Sequence, residues 1–111
     1  MIAYTAASLA ALACRPGQPK LDDAAIAAAL AALPGWARAG DTLTRTYTFP
    51  DYYRTMAFVN AVAWIANQQD HHPDLEVHYN RCGVTFSTHD AGGITLNDLI
   101  CAARVEGLGA A

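Results

Sequence analysis

The chain has 111 residues, of which 53% are hydrophobic and 15% are charged, so it is long enough for one domain with one core and too apolar for a disordered chain. Its 10 acidic and 7 basic side chains give a formal net charge of -3, which excludes the basic surface that binds nucleic-acid phosphates. No apolar segment reaches the roughly 20 residues of a transmembrane helix. We therefore expect an acidic globular protein that binds neither nucleic acid nor membranes.

The three cysteines, Cys14, Cys82 and Cys101, are too few and too widely spaced for a disulfide framework or a CxxC-type zinc site. We expect reduced thiols. The apolar segment over residues 1–14 contains no Lys or Arg, so it lacks the basic start of a secretory signal. This pattern favours a cytoplasmic location.

The first part of the chain predicts an arm followed by a helix. Residues 15–19 contain two prolines and a glycine, which cannot continue a helix, so we expect an N-terminal arm over residues 1–20. Asp22 is placed to cap a helix that begins near Asp23 and ends at the Pro-Gly pair at 34–35. The apolar stripe of this helix consists of Ile26, Leu30 and Leu33.

Two strands should follow this helix. Residues 36–38 form a short strand candidate, and the Gly-Asp pair at 40–41 favours a turn. Over residues 42–49, four threonines alternate with Leu43, Arg45, Tyr47 and Phe49. This is the pattern of a strand with one face toward the core. Arg45 interrupts that apolar face, so we expect it near an edge.

A long second helix is predicted between Asp51, which is placed to cap it, and Gln69. The segment His71-His72-Pro73 ends it, because the residue before a proline avoids helical backbone. Its expected buried residues are Tyr53, Ala57, Phe58, Val62 and Ile65.

The remaining elements are two strands and a helix. Alternation over residues 75–80 predicts a third strand, and the inward parity of Cys82, Val84, Phe86 and Thr88 predicts a fourth, with a tight turn around residues 80–83. Thr95 is placed to cap a last helix that contains Leu96, Leu99, Ile100 and Ala103.

The element order is therefore helix-strand-strand-helix-strand-strand-helix. Strand pairs that are close in sequence favour an antiparallel sheet, and helices should pack on one of its faces. The prediction is an α+β, two-layer sandwich with four strands in a single domain over residues 21–107, followed by a tail over residues 108–111.

Three of the four histidines lie in loops that follow regular elements, where functional sites are often found. His71 and His72 follow the second helix, and His89 follows the fourth strand. Imidazole exchanges protons at neutral pH, and the negative end of a helix dipole favours the protonated form of His71. Two adjacent imidazoles in different surroundings can act as acid and base.

Other interpretations of these residues remain open. The His-His-Pro segment can be a structural helix cap, and Asp70, His71, His72 and His89 can converge on a metal, although HExxH, CxxC and carboxylate-cluster motifs are missing. His78 alternates with apolar neighbours in the third strand, so we expect it to be exposed and structural.

Over residues 21–107 the chain resembles the pterin-4a-carbinolamine dehydratase family, also known as the dimerization cofactor of a homeodomain transcription factor. The strongest matches are Asp70-His71-His72-Pro73, Tyr79, Ser87-Thr88-His89-Asp90, Gly93 and Asp98. The segment Leu33-Pro34-Gly35-Trp36 also matches. The arm, with Cys14-Arg15-Pro16-Gly17, Pro19 and Leu21, is similar to that of bacterial members.

The resemblance implies a hydro-lyase that dehydrates 4a-hydroxytetrahydropterin to quinonoid dihydropterin, in the recycling of tetrahydropterin. Its catalytic residues would be His71, His72 and His89, with His72 and His89 at the leaving hydroxyl or N5 and His71 assisting. Substrate contacts would fall on Pro73, Thr88, Asp90 and Ala91. Asp98 and Asp70 would lie behind them, Asp98 orienting an imidazole or the loop.

One position departs from the family. Many members carry an acidic residue four positions before the first histidine, where this chain has Asn67. An amide can still bind a pterin ring but cannot stabilise a cation by its charge. Asp70 is not expected to replace that charge, because its side chain should point elsewhere on the helix.

The resemblance also implies a homodimer or homotetramer and a functional link to an aromatic amino acid hydroxylase. It further implies that neither a cofactor nor a metal is needed, since the pterin is the substrate and its dehydration requires only proton transfer. The alternative is a non-enzymatic oligomeric module that stabilises a protein partner, as some animal members do.

Overall fold

The computed structural model describes residues 4–109. This part of the chain forms four helices and four strands: α1 Ala6–Ala10, α2 Asp23–Leu30, β1 Ala37–Ala39, β2 Thr42–Thr48, α3 Tyr52–Gln69, β3 Asp74–His78, β4 Arg81–Phe86 and α4 Leu96–Glu106. A short 3₁₀ turn, His89–Ala91, lies between β4 and α4. The order from α2 to α4 confirms the predicted succession of helices and strands.

The four strands form one antiparallel sheet in the order β1-β2-β4-β3. The central pair, β2 and β4, places Tyr47 opposite Cys82 and Leu43 opposite Phe86. These side chains are buried under the helices, whereas Thr46 on the other face is exposed. The predicted α+β sandwich, with helices on one face of the sheet, is confirmed.

Side-chain caps begin the three longer helices where the sequence predicts them. Asp22 accepts a hydrogen bond from the Ala25 N–H at 2.8 Å, and Asp51 accepts one from the Arg54 N–H at 2.8 Å. Thr95 caps α4. The turn between β3 and β4 differs slightly from the prediction, because it consists of residues 79–80, and Gly83 lies inside β4, opposite Glu76.

The predicted buried face of α3 is partly wrong. Tyr53 is 82% exposed and Ala57 is also exposed. The buried residues Thr55, Phe58, Val62 and Ile65 recur at spacings of three and four and form a stripe rotated away from Tyr53, and Ala66 is buried beside Ile65. Apolar character alone did not distinguish the two sides of this helix.

The N-terminal arm contains a helix that the sequence analysis did not predict. Thr5 and Ser8 form a reciprocal capping box at the start of α1, and Leu9 is fully buried against α4. Alanine supplies the helix propensity and Leu9 the apolar contact that holds so short a helix in place. The predicted boundaries at residues 21 and 107 stay predictions, and residues 1–3 and 110–111 lie outside the described part of the chain.

The hydrogen-bond partners of Arg45 explain why a charged side chain lies on the otherwise apolar face of β2. It lies beyond the end of β1, and its Nη1 donates to Glu106 Oε1 at 2.7 Å and to the Pro34 carbonyl at 2.9 Å. Glu106 also accepts hydrogen bonds from the Trp36 indole and the Tyr47 hydroxyl. This polar cluster joins the end of α4 to the sheet. Within residues 4–109, no helix is both long enough and apolar enough to cross a membrane.

Candidate functional site

Two cavities lie where the end of α3 meets the loop after β4. The first has a volume of about 270 Å³ and is lined by Asp70, His71, His72, Ser87, Thr88, His89 and Asp90. The second has a volume of about 410 Å³ and is lined by Pro16, Gly17, Gln18, Asp70, His71, Thr88, Asp90, Ala91 and Asn97. Four residues line both cavities, so we treat the two as compartments of one site.

The end of α3 determines how the two adjacent histidines are placed. Asp70 has left-handed backbone angles (φ 49°, ψ 43°). Its N–H donates to the Asn67 carbonyl at 3.4 Å, and the His71 N–H donates to the Ala66 carbonyl at 3.1 Å. This is a Schellman ending, in which an Asp takes the position that glycine usually occupies. The chain reverses there, and His71 turns inward while His72 stays exposed.

The same reversal changes the expectation for Asp70. Its side chain was expected to point away from the site, but Asp70 lines both cavities. The prediction assumed a continuing helix, whereas the left-handed residue changes the direction of the chain. Asp70 therefore brings a carboxylate to the site, next to His71.

A buried carboxylate holds the inward-facing histidine. Asp98 is fully buried, and its Oδ1 lies 2.5 Å from His71 Nε2. Its Oδ2 accepts hydrogen bonds from the Thr95 N–H at 2.9 Å and from the Thr88 hydroxyl at 2.8 Å. Asp98 thus joins the first turn of α4, the loop after β4 and the end of α3.

The surroundings of His71 favour its protonated form. The hydrogen bond with Asp98 raises the pKa of His71, although burial of the ring acts in the opposite direction. The ring also stacks on Phe86, with 6.1 Å between ring centres and 9° between the planes. In the described part of the chain, no protein group bonds to its Nδ1. A cationic His71 can therefore donate the Nδ1 proton to a molecule in the cavities.

This raised pKa predicts a pH-dependent contribution of His71 to stability. A histidine whose pKa is higher in the folded state stabilises the fold fully below its unfolded pKa, near 6.5, and this contribution is lost as the pH rises through the folded pKa. We expect the difference in the free energy of unfolding between the wild type and His71→Gln, measured with urea, to be largest at acidic pH and to shrink on the alkaline side. His78→Gln is the control, because His78 is exposed on β3. A difference that grows with pH would contradict the assignment.

His72 and His89 contribute accessible imidazoles to the first cavity, and both are exposed. His89 begins the 3₁₀ turn, whose base is closed by two hydrogen bonds between the backbones of Thr88 and Gly93, at 3.0 and 3.3 Å. Gly92 makes the turn possible, because it has a positive φ of 75°. His78 is exposed, as predicted, and lines neither cavity.

The structure gathers most of the sequence-predicted site residues. The three loop histidines, Asp70, Thr88, Asp90 and Ala91 line the cavities, and Asp98 lies directly behind His71. Asn67 and Pro73 line neither cavity, and Asn67 is exposed on α3. The roles assigned to all of these residues remain proposals.

The arm contributes to the site in a way that was not predicted from the sequence. Residues 16–18 form a wall of the second cavity. They are held there because Asn97 Oδ1 accepts from the Arg15 N–H at 3.0 Å and Asn97 Nδ2 donates to the Arg15 carbonyl at 2.8 Å. The signal that could have indicated this contribution is the similarity of the arm to the arm of bacterial family members. Nothing in the sequence indicated a contact between residues 15 and 97.

A metal site was the other functional interpretation of the histidines. Within residues 4–109, no group of three or more His, Cys, Asp or Glu side chains is arranged to hold a metal ion. The Nε2 atom of His71 already forms a hydrogen bond with the Asp98 carboxylate. The imidazoles that line the cavities are groups that can donate and accept protons.

Solved structures with this fold provide the first comparison. The chain is similar to a protein from Brucella melitensis described as a transcriptional coactivator/pterin dehydratase, with a TM-score of 0.78 and 32% identity over 83% of this chain and 99% of that chain. It is also similar to a pterin dehydratase-like protein described as a RuBisCO assembly factor in the alpha-carboxysome, with a TM-score of 0.59 and 25% identity over 69% of this chain and 93% of that chain.

Sequence relatives provide the second comparison. A Chromobacterium violaceum protein is 58% identical over 103 residues, which are 91% of this chain and 95% of that protein. A Xanthomonas campestris protein is 59% identical over 91 residues, which are 80% of this chain and 77% of that protein. Both carry the provisional name pterin-4-alpha-carbinolamine dehydratase. The family profile described as Pterin 4 alpha carbinolamine dehydratase matches residues 19–108. The chain therefore belongs to the pterin-4-alpha-carbinolamine dehydratase family.

Proposed function

We propose that this protein is a hydro-lyase that converts 4a-hydroxytetrahydropterin to quinonoid dihydropterin and water. The observation that carries the proposal is the convergence of His71, His72 and His89 on one cavity, with His71 bonded to the buried Asp98. Family membership supports the substrate class. The geometry supports the reaction type, which is proton transfer without a covalent intermediate.

The reaction breaks the C4a–O bond and the N5–H bond and forms a double bond between C4a and N5. The hydroxyl must gain a proton to leave as water, and we assign this donation to the Nδ1–H of the His71 cation. The N5 proton goes to an accessible imidazole of His72 or His89. This assignment gives His71 a larger role than the assisting one expected from the family resemblance, because the Asp98 contact supports its protonated form.

We further propose the setting of this activity. The chemistry needs only proton donors and acceptors, so we assign no cofactor. We expect the enzyme to act in the cytoplasm as a homodimer or homotetramer and to serve an aromatic amino acid hydroxylase that releases its substrate. Asn67 is exposed outside the cavities, so its lack of charge leaves the His71–Asp98 pair intact.

A partner-binding module is the second candidate function. The two solved relatives are described as a transcriptional coactivator/pterin dehydratase and as a RuBisCO assembly factor. In this chain, Tyr52 and Tyr79 stack with 6.2 Å between their ring centres, yet both are more than half exposed. Exposed aromatic side chains of this kind are enriched at protein interfaces.

The test is the rate of quinonoid dihydropterin formation from freshly generated 4a-hydroxytetrahydropterin, followed by absorbance. We expect the wild type to accelerate dehydration clearly above the uncatalysed rate, in proportion to enzyme concentration. His78→Ala should be as active as the wild type, because His78 lines neither cavity. Folded wild-type protein that gives only the uncatalysed rate would refute the dehydratase and favour the partner-binding module.

A further inference from the structure

Two cysteine thiols from distant parts of the sequence meet beside the site. The Sγ atoms of Cys14, which is half-buried in the arm, and Cys101, which is fully buried in α4, lie 3.5 Å apart. A disulfide has a sulfur–sulfur distance of about 2.05 Å, so the thiols need to approach by only about 1.5 Å. The third thiol, Cys82, is buried in β4 and bonds only to the neighbouring Gly83 carbonyl.

Hydrogen bonds hold the thiol of the arm at this position. The Cys14 N–H donates to Gln69 Oε1 at 2.8 Å, and its thiol lies 3.6 Å from the Asn97 carbonyl. The next residue, Arg15, is held by two hydrogen bonds with the Asn97 side chain. Cys101 lies one turn after Asn97 on α4, so the contacts that fix the arm also align the sulfurs.

Charge and burial give the two thiols different reactivities. The pKa of Cys14 is lowered, mainly because the Cys101 thiol donates a hydrogen bond to its sulfur, and the charges of His71 and Arg104 act in the same direction against burial. The pKa of Cys101 is raised by its bond to Cys14 and by burial. Arg104 also binds the arm, because it donates to the Leu12 carbonyl at 2.9 Å, and its buried Nε has no partner within residues 4–109. Cys14 is thus the more readily ionised thiol of the pair and therefore the better nucleophile.

We propose that Cys14 and Cys101 form an oxidation site that a hydroperoxide converts to a reversible disulfide. The Cys14 thiolate attacks the peroxide O–O bond, which gives a sulfenic acid and releases the other oxygen as hydroxide, or from an organic hydroperoxide as an alkoxide that takes a proton from water to become the alcohol. The Cys101 sulfur then displaces the sulfenic oxygen, which leaves as water, and the disulfide forms. The two thiols lose two electrons, and the peroxide gains them. A dithiol reductant reverses the step by thiol–disulfide exchange.

The disulfide would act on the site through its neighbours. It would link the segment that continues into the cavity wall at residues 16–18 to α4, one turn after Asp98. It would also remove the Cys14 thiol, whose ionised form raises the pKa of His71. The oxidation chemistry itself does not depend on the proposed dehydratase activity, so the two can be tested separately.

The experiment treats the folded wild-type protein with hydrogen peroxide and counts the free thiols by alkylation and mass spectrometry. We expect the number of free thiols to fall from 3, the number of cysteines in the sequence, to one, with a loss in mass of two hydrogens. After chymotrypsin digestion without reductant, the disulfide should keep the peptides that contain Cys14 and Cys101 joined. Cleavage after Phe86 separates Cys82 from Cys101, so the two possible linkages can be distinguished. The melting temperature should rise by about 10 °C and return with dithiothreitol, because a cross-link over so long a loop restricts the unfolded chain.

Single variants distinguish the roles of the thiols. Cys101→Ser should stop at a Cys14 sulfenic acid that dimedone traps, Cys14→Ser should give no disulfide within the chain, and Cys82→Ser should behave like the wild type. A linkage to Cys82, a disulfide between copies on a non-reducing gel, or three intact thiols after treatment would each overturn the proposal. The wild-type peptide map decides the question even if a variant folds poorly.

Discussion

The double variant His72→Ala, His89→Ala is expected to dehydrate 4a-hydroxytetrahydropterin no faster than the uncatalysed reaction. Both imidazoles open onto the first cavity and are accessible to a bound molecule. Removing them leaves His71 as the only imidazole that lines the two cavities, so no second imidazole remains to accept the N5 proton while His71 donates to the hydroxyl. General acid-base catalysis typically contributes about 10²- to 10⁴-fold, so we expect a loss of at least about 100-fold in kcat/KM.

The fold of this double variant should be unaffected, which makes the result interpretable. Both side chains are exposed, and the exposed positions of a protein usually tolerate substitution within about 0.5 kcal/mol. The matched control is His78→Ala, which removes an exposed imidazole from β3 outside the cavities. Acceleration by the double variant at half the wild-type rate or more would show that neither imidazole takes part. The N5 proton would then go to another acceptor, and Asp70 would be the first candidate because it lines both cavities.

Much of the fold could be predicted because local signals agree with the tertiary packing. The alternation of Leu43 and Tyr47 with threonines identified β2, and the side chains of Asp22, Asp51 and Thr95 marked the starts of three helices. The helix α1 could not be predicted in this way, because a helix of 5 residues is not stable alone. It depends on burying Leu9 against α4, a contact that local patterns do not contain.

The site was predictable in its residue types but not in its connections. The loop positions of His71, His72 and His89 indicated an acid-base site from the sequence alone. The family resemblance implied that Asp98 orients an imidazole or the loop, but it did not indicate that the imidazole is that of His71 or that Asp70 lines the cavities. Both depend on the left-handed residue at the end of α3. The approach of Cys14 to Cys101 spans 87 residues and depends on tertiary packing.

Asp98→Asn is expected to lower kcat/KM by about 100-fold at neutral pH and to move the pH profile. In the wild type, Asp98 raises the pKa of His71, so the cation that donates the proton persists to higher pH than in a free imidazole and disappears as the pH rises through the raised pKa. Asparagine keeps the shape and can still accept the Thr95 N–H bond, but it carries no charge. Burial of His71 is then opposed only by the weaker effects of the Cys14 and Asp70 charges, so the pKa of His71 falls. The alkaline fall in kcat/KM should therefore shift to lower pH, with partial recovery of activity in acid.

A change in the pH profile separates this role of Asp98 from its role as a helix cap. Thr95→Ala is the matched control, because it removes the capping hydroxyl of α4 but keeps the carboxylate beside His71. We expect Thr95→Ala to lose about 1 kcal/mol of stability and to retain the wild-type pH profile. Asp98→Asn should shift the profile and also abolish the acid-favoured contribution of His71 to the free energy of unfolding. If Asp98→Asn instead lowers the rate equally at every pH, Asp98 only holds the loop and the helix in place, and the proton given to the hydroxyl comes from a group other than His71.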